Sequence, residues 1–160
     1  MLKLAQRVAS FLILATALPI FSTVRAEEPP TPHAPRPAQI MPARKVFISN
    51  GGEDQWLDFD PKHDPTLTYN QFYADMKTWG KYELVSSPSA ADVVFQIRLG
   101  YRDGGMQLRL RILDPQTHVV LWTLNQLAKG ANRDATARKN LDEAMNALME
   151  STKKLVAGSP

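Results

Sequence analysis

Two consecutive runs, DVVFQIRLGY (92–101) and MQLRLRIL (106–113), alternate apolar with polar residues. A period of two places alternate side chains on opposite faces of a strand, so each run reads as a strand with one buried face. Val93, Phe95, Ile97 and Leu99 fall on one side, and Val94, Gln96 and Arg98 on the other. In the second run Leu108, Leu110 and Ile112 oppose Gln107, Arg109 and Arg111. Asp103-Gly104 between them is a two-residue hairpin signal. A hairpin turn fixes register. Arg102 is then expected opposite Gly105, with Phe95 facing Ile112, Ile97 facing Leu110 and Leu99 facing Leu108. The other face sets Arg98 against Arg109 and Gln96 against Arg111.

A second break, Asp114-Pro115-Gln116-Thr117, has Asp and Pro where a type I turn wants them. The loop can close at Thr117, or His118 can take a left-handed position that His tolerates better than most residues. Either closure gives the following strand the same faces. Leu121 is expected on the core side, and Trp122 on the arginine side opposite Arg109 or Arg111, with Val120 and Leu124 as its neighbours. The candidate binding residues are therefore Arg98, Arg109, Arg111 and Trp122. Arg98 against Arg109 is a like-charge pair that costs stability if uncompensated. An indole over a guanidinium gains about 0.5–1 kcal/mol. Such a face suits an anionic or protein partner, or it is a solvated face covered by long arginine stems.

The remaining pattern supplies one strand before the hairpins, a short one just ahead of them, and two helices. KVFISN (45–50) is β-branched and aromatic and stops at Asn50-Gly51-Gly52. From Thr68 to Trp79, Tyr69, Phe72, Tyr73, Met76 and Trp79 form one helical stripe. Thr66 or Thr68 is expected to cap it, and Gly80 to end it. YELVSS (82–87) is a short strand stopped by Pro88. From about Arg133 to Val156, Leu141, Ala144, Met145, Leu148 and Leu155 form a second stripe, with Asn132 as its expected cap. The order predicts an α+β two-layer sandwich over residues 43–157: a mixed sheet of about five strands with two helices on one face.

The amino terminus reads as an export signal. Lys3 and Arg7 precede the apolar stretch FLILATALPIF (11–21), and Val24-Arg25-Ala26 has small residues where cleavage is expected. The stretch is shorter than the roughly 20 residues a membrane span needs, so no stable transmembrane segment is expected after cleavage. Residues 27–42 contain six prolines and read as an extended, disordered spacer with nothing to contribute to a core. The segment 1–26 carries three of the 19 basic residues and none of the 16 acidic ones, leaving 16 of each sign. The basic character of the chain thus belongs to export and gives no footing for nucleic-acid binding. There is no cysteine, which excludes disulfides, thiolate metal sites and a lipid-modified amino-terminal Cys. The expected location is periplasmic or secreted.

KYELVSSPSAADVVFQI (81–97), LRLRILDPQTHVVLW (108–122) and the closing amphipathic helix together resemble a group of exported bacterial envelope proteins. The group includes the amino-terminal domain of the Tol-system protein TolB, the curli-export lipoprotein CsgG and related lipoproteins. Ala91-Asp92, Asp114, Thr117 and Trp122 match its pattern; His118 stands where Gly is usual. The resemblance covers roughly residues 43–157. It implies an accessory or assembly role in the envelope, with no catalytic residues to carry over.

No serine-hydrolase constellation, phosphate-binding loop or zinc signature appears. His33, His63 and His118 are isolated. Asp58-x-Asp60 opens like a calcium loop, but Lys62 occupies the next ligand position and no glycine follows. The expected function is a non-enzymatic binding or assembly module of the cell envelope. It would need no cofactor or metal, and its partner would be an envelope protein or an anionic envelope polymer. The alternative is a metal-dependent or carboxylate hydrolase using the acidic 53–64 loop.

Overall fold

The computed structural model describes residues 35–53, 65–102 and 105–158. The expected signal segment, half of the expected spacer (27–34), the acidic loop beyond Glu53 and the Asp103-Gly104 turn lie outside them. Among the described residues, five strands form one open sheet: β1 (Lys45–Glu53), β2 (Glu83–Leu84), β3 (Val93–Arg102), β4 (Gly105–Leu113) and β5 (Val120–Ala128). The helices are α1 (Pro65–Trp79) and α2 (Asp134–Ala157). The spatial order is β2-β1-β3-β4-β5, with β1 parallel to both β2 and β3, and the rest antiparallel. The α+β mixed sheet expected from sequence is the architecture observed.

The first hairpin has the register its turn dictates. Arg102 pairs with Gly105, Leu99 with Leu108, Ile97 with Leu110 and Phe95 with Ile112. All seven aliphatic and aromatic residues expected on the core side of β3 and β4 are at most 1% exposed. Against them α1 sets Phe72 and Met76, and α2 sets Ala144, Met145, Leu148, Met149, Leu155 and Val156. Each fully buried large side chain contributes about 1.5–3 kcal/mol, so this shared face is the main source of stability. Tyr73, expected in the α1 stripe, is 38% exposed and has the Tyr69 ring beside it, 6.2 Å between centroids.

The helix ends differ from expectation in detail. Pro65 opens α1, a position where its missing N–H costs nothing. Thr66 and Thr68 therefore sit within the first turn and not before it. The residue preceding α2 is Arg133, one later than the expected Asn132. Gly80 does end α1, with its N–H on Met76 O at 3.2 Å. The strand expected over 82–87 is only two residues long, since it meets β1 at Lys45 and Val46 alone.

The spacer also needs correction. Ile40, placed in a segment with no core role, is 1% exposed and belongs to the core, where a turn closed by Ile40 N–H on Pro37 O carries it. Its proline-rich surroundings hid a single apolar anchor that has no periodicity to reveal it.

The Ala91-Asp92 pair has a mechanical role. The Asp92 carboxylate accepts the backbone N–H groups of Arg44 (2.8 Å) and Lys45 (2.9 Å), pinning the start of β1 to the start of β3. Those two bonds, Arg44 first, hold its pKa below the usual aspartate value.

Candidate functional site

The sheet has one face under the helices and one that no helix covers among the described residues. Register assigns the uncovered face row by row. Phe47, Val94, Leu113 and Val120 make an apolar row; Ser49, Gln96, Arg111 and Thr123 follow; then Arg98, Arg109 and Asn125; then Gly100, Gln107 and Leu127. The three candidate arginines therefore lie together, in adjacent rows, and none of the side chains in these rows is acidic.

Arg98 and Arg109 stand directly opposite each other, as expected. Their guanidinium groups lean apart and find neutral acceptors. Arg98 Nη2 donates to the Glu53 carbonyl at 2.9 Å, while Arg109 donates through Nη2 to Gln107 Oε1 at 3.0 Å and through Nε to Asn125 Oδ1 at 3.3 Å. A bulge in β1 between Asn50 and Glu53 presents that carbonyl, and Gly52 at φ 74° takes a backbone conformation costly for other residues. The two amide oxygens on Arg109 orient its guanidinium without cancelling its charge. Arg111 has no hydrogen-bond or ion-pair partner among the described residues.

Trp122 is not on this face, and the expected indole–guanidinium pairing is corrected accordingly. The turn closes as the second of the two alternatives: His118 is left-handed at φ 58°, Asp114 N–H donates to Val119 O at 3.0 Å, and Leu113 pairs with Val120. The next pair, however, is Ile112 with Trp122. Leu121 is an unpaired extra residue, a β-bulge, and one added residue exchanges the faces of everything after it. Trp122 therefore shares the core side with Ile112, and Leu124 with Leu110. Leu121, Trp122 and Leu124 are all half-buried against the core. Thr123 and Asn125 replace Trp122 and Leu124 beside the arginines. Asp114 holds the turn by accepting the N–H groups of Gln116 and Thr117, both at 2.8 Å, and these bonds, Thr117 first, keep its pKa low.

A signal for the bulge was present further along β5. With the odd-numbered residues inward, Thr123 and Asn125 would both enter the core. With Trp122, Leu124 and Ala128 inward, only Gln126 does so, and it reaches Ser151 Oγ at 3.4 Å. Gly105 marks the far end of the same ladder. A methyl there would overlap the Ala128 carbonyl oxygen.

The described residues contain no cluster of three or more metal-ligating side chains and no helix long and apolar enough to cross a membrane. The hydrolase alternative concerns the acidic loop, whose residues after Glu53 lie outside the described set.

No family model and no curated protein matches the sequence. Similar solved structures include the PelC dodecamer from Paraburkholderia phytofirmans, at 11% identity over 74% of this chain and 91% of that one, TM-score 0.47. The LpoB C-terminal domain from Salmonella enterica is 10% identical over 54% and 82%, TM-score 0.40. TolB from Acinetobacter baumannii is 16% identical over 68% of this chain and 29% of that chain, TM-score 0.33.

Proposed function

We propose that this chain is an exported, non-enzymatic binding module of the bacterial cell envelope, working in the periplasm or outside the cell. It engages an anionic partner, an acidic envelope protein or an anionic envelope polymer, through the uncovered face of its sheet. The observation that carries the reading is the grouping of Arg98, Arg109 and Arg111 in adjacent rows, with Arg109 oriented by Gln107 and Asn125 and no acidic residue paired with any of the three in the β3–β4–β5 ladder. Guanidinium groups held this way can form charge-assisted, forked hydrogen bonds to carboxylate, phosphate or sulfate. The resemblance of the Ala91-Asp92 and Asp114–Trp122 passages to the TolB and CsgG group agrees with an accessory role.

The test is fluorescence anisotropy with two labelled probes, polyglutamate for an acidic protein surface and a polyuronate for an envelope polymer. Arg109→Ala with Arg111→Ala is expected to weaken binding of at least one probe by tenfold or more, with the binding of the unaltered protein falling steeply as salt rises. Trp122→Ala is expected to leave binding unchanged wherever the protein stays folded. Binding of neither probe, or equal binding by the double variant, would refute the proposal.

A further inference from the structure

Strand β5 is the last strand of the sheet, so the outer backbone groups of a nine-residue strand have no strand neighbour among the described residues. Exposed edges invite pairing, and folded proteins usually blunt them with charge, proline or a bulge. VLWTLNQLA contains no ionisable residue and no proline. The bulge at Leu121 disrupts only its first third. From Trp122 to Ala128 the ladder with β4 is regular, seven residues with Asn125 at the centre.

We infer that β5 is the seam through which two copies of this chain pair, antiparallel, about a twofold axis at Asn125. Such pairing is isologous, so a charge near the axis would meet its own copy; this strand has none to oppose. Side-chain sizes are also self-complementary. Trp122 falls opposite Ala128, Leu124 opposite Gln126, and Thr123 opposite Leu127, which is 49% exposed in the single copy. Within the sheet the nearest arginines lie on β4, three strand spacings from their copies. At about 4.8 Å per spacing that is roughly 14 Å, beyond the screening length of about 8 Å at physiological salt. The axis runs perpendicular to the sheet, so the helices of both copies lie on one side and both arginine faces on the other.

The chain has no cysteine, so a single introduced one reports register cleanly. In the exported protein under mild oxidant, Asn125→Cys is expected to cross-link to itself. Thr123→Cys and Leu127→Cys each sit about 13 Å from their own copies, out of disulfide reach, yet are expected to cross-link to each other when mixed. Asn125→Lys should convert the dimer to a monomer in sedimentation velocity, with circular dichroism confirming that it remains folded. The inference is overturned if the unaltered protein is monomeric at about 100 µM, at a Kd far weaker than a specific interface gives. Equal self-cross-linking at all three positions, or an Asn125→Lys variant that stays dimeric, would overturn it too.

Discussion

At the scale of single residues, Tyr82 has a consequence that can be measured. It is 7% exposed and packs edge-on against Trp79 (5.5 Å between centroids) and Phe95 (5.7 Å). Its hydroxyl has no hydrogen-bond partner among the described residues. Burial pushes its pKa up to about 12. The unfolded chain therefore loses this proton first, near pH 10, and stability falls as pH rises from there to about 12. The slope approaches about 1.4 kcal/mol per pH unit for the one proton. Tyr82→Phe should be neutral or slightly stabilising at pH 7, since it removes an unpaired buried hydroxyl. Subtracting its urea-unfolding free energies from those of the unaltered protein between pH 9 and 12 should isolate this slope. A flat difference would show that the phenol is solvated. Little of this was legible in the sequence, because Tyr82 lies just before a two-residue strand, where no period distinguishes inside from outside.

At the scale of elements, β5 shows what alternation can and cannot convey. β3 and β4 were legible to the residue, since a two-residue connection leaves no freedom in register and every expected pair from Phe95 to Gly105 is present. β5 follows a longer turn on the edge of the sheet, where an extra residue is tolerated. The left-handed His118 and the turn held by Asp114 were within reach of composition; the unpaired Leu121 was not, without reading the strand backwards from Ala128. Deleting Leu121 should restore a plain ladder with Trp122 still opposite Ile112. The deletion variant is expected to fold cooperatively, losing only about 1–2 kcal/mol for the half-buried leucine by urea denaturation. Loss of cooperative unfolding would mean that the bulge carries more than register.

At the scale of the whole molecule, one sheet separates two chemistries. The side under the helices holds the aliphatic interior, and the other holds three guanidinium groups among amides, hydroxyls and an apolar row. The layer architecture was legible because each helix stripe and each alternating strand demanded a covered face. The parallel placement of β1 between β2 and β3, and the docking of Ile40, were not. Both depend on contacts between residues far apart in sequence, which no local period encodes. The arginine grouping survived because its residues all lie on the two strands whose register was secure. Trp122 left that group because one bulge stands between it and them.

The division of the sheet is most directly tested by urea denaturation of Trp122→Ala beside Arg111→Ala. Trp122→Ala is expected to cost about 2–3 kcal/mol, somewhat below the loss of a fully buried indole, and Arg111→Ala less than about 0.5 kcal/mol. Equal, small losses for the two would contradict the account, because they would return the tryptophan to the arginine face.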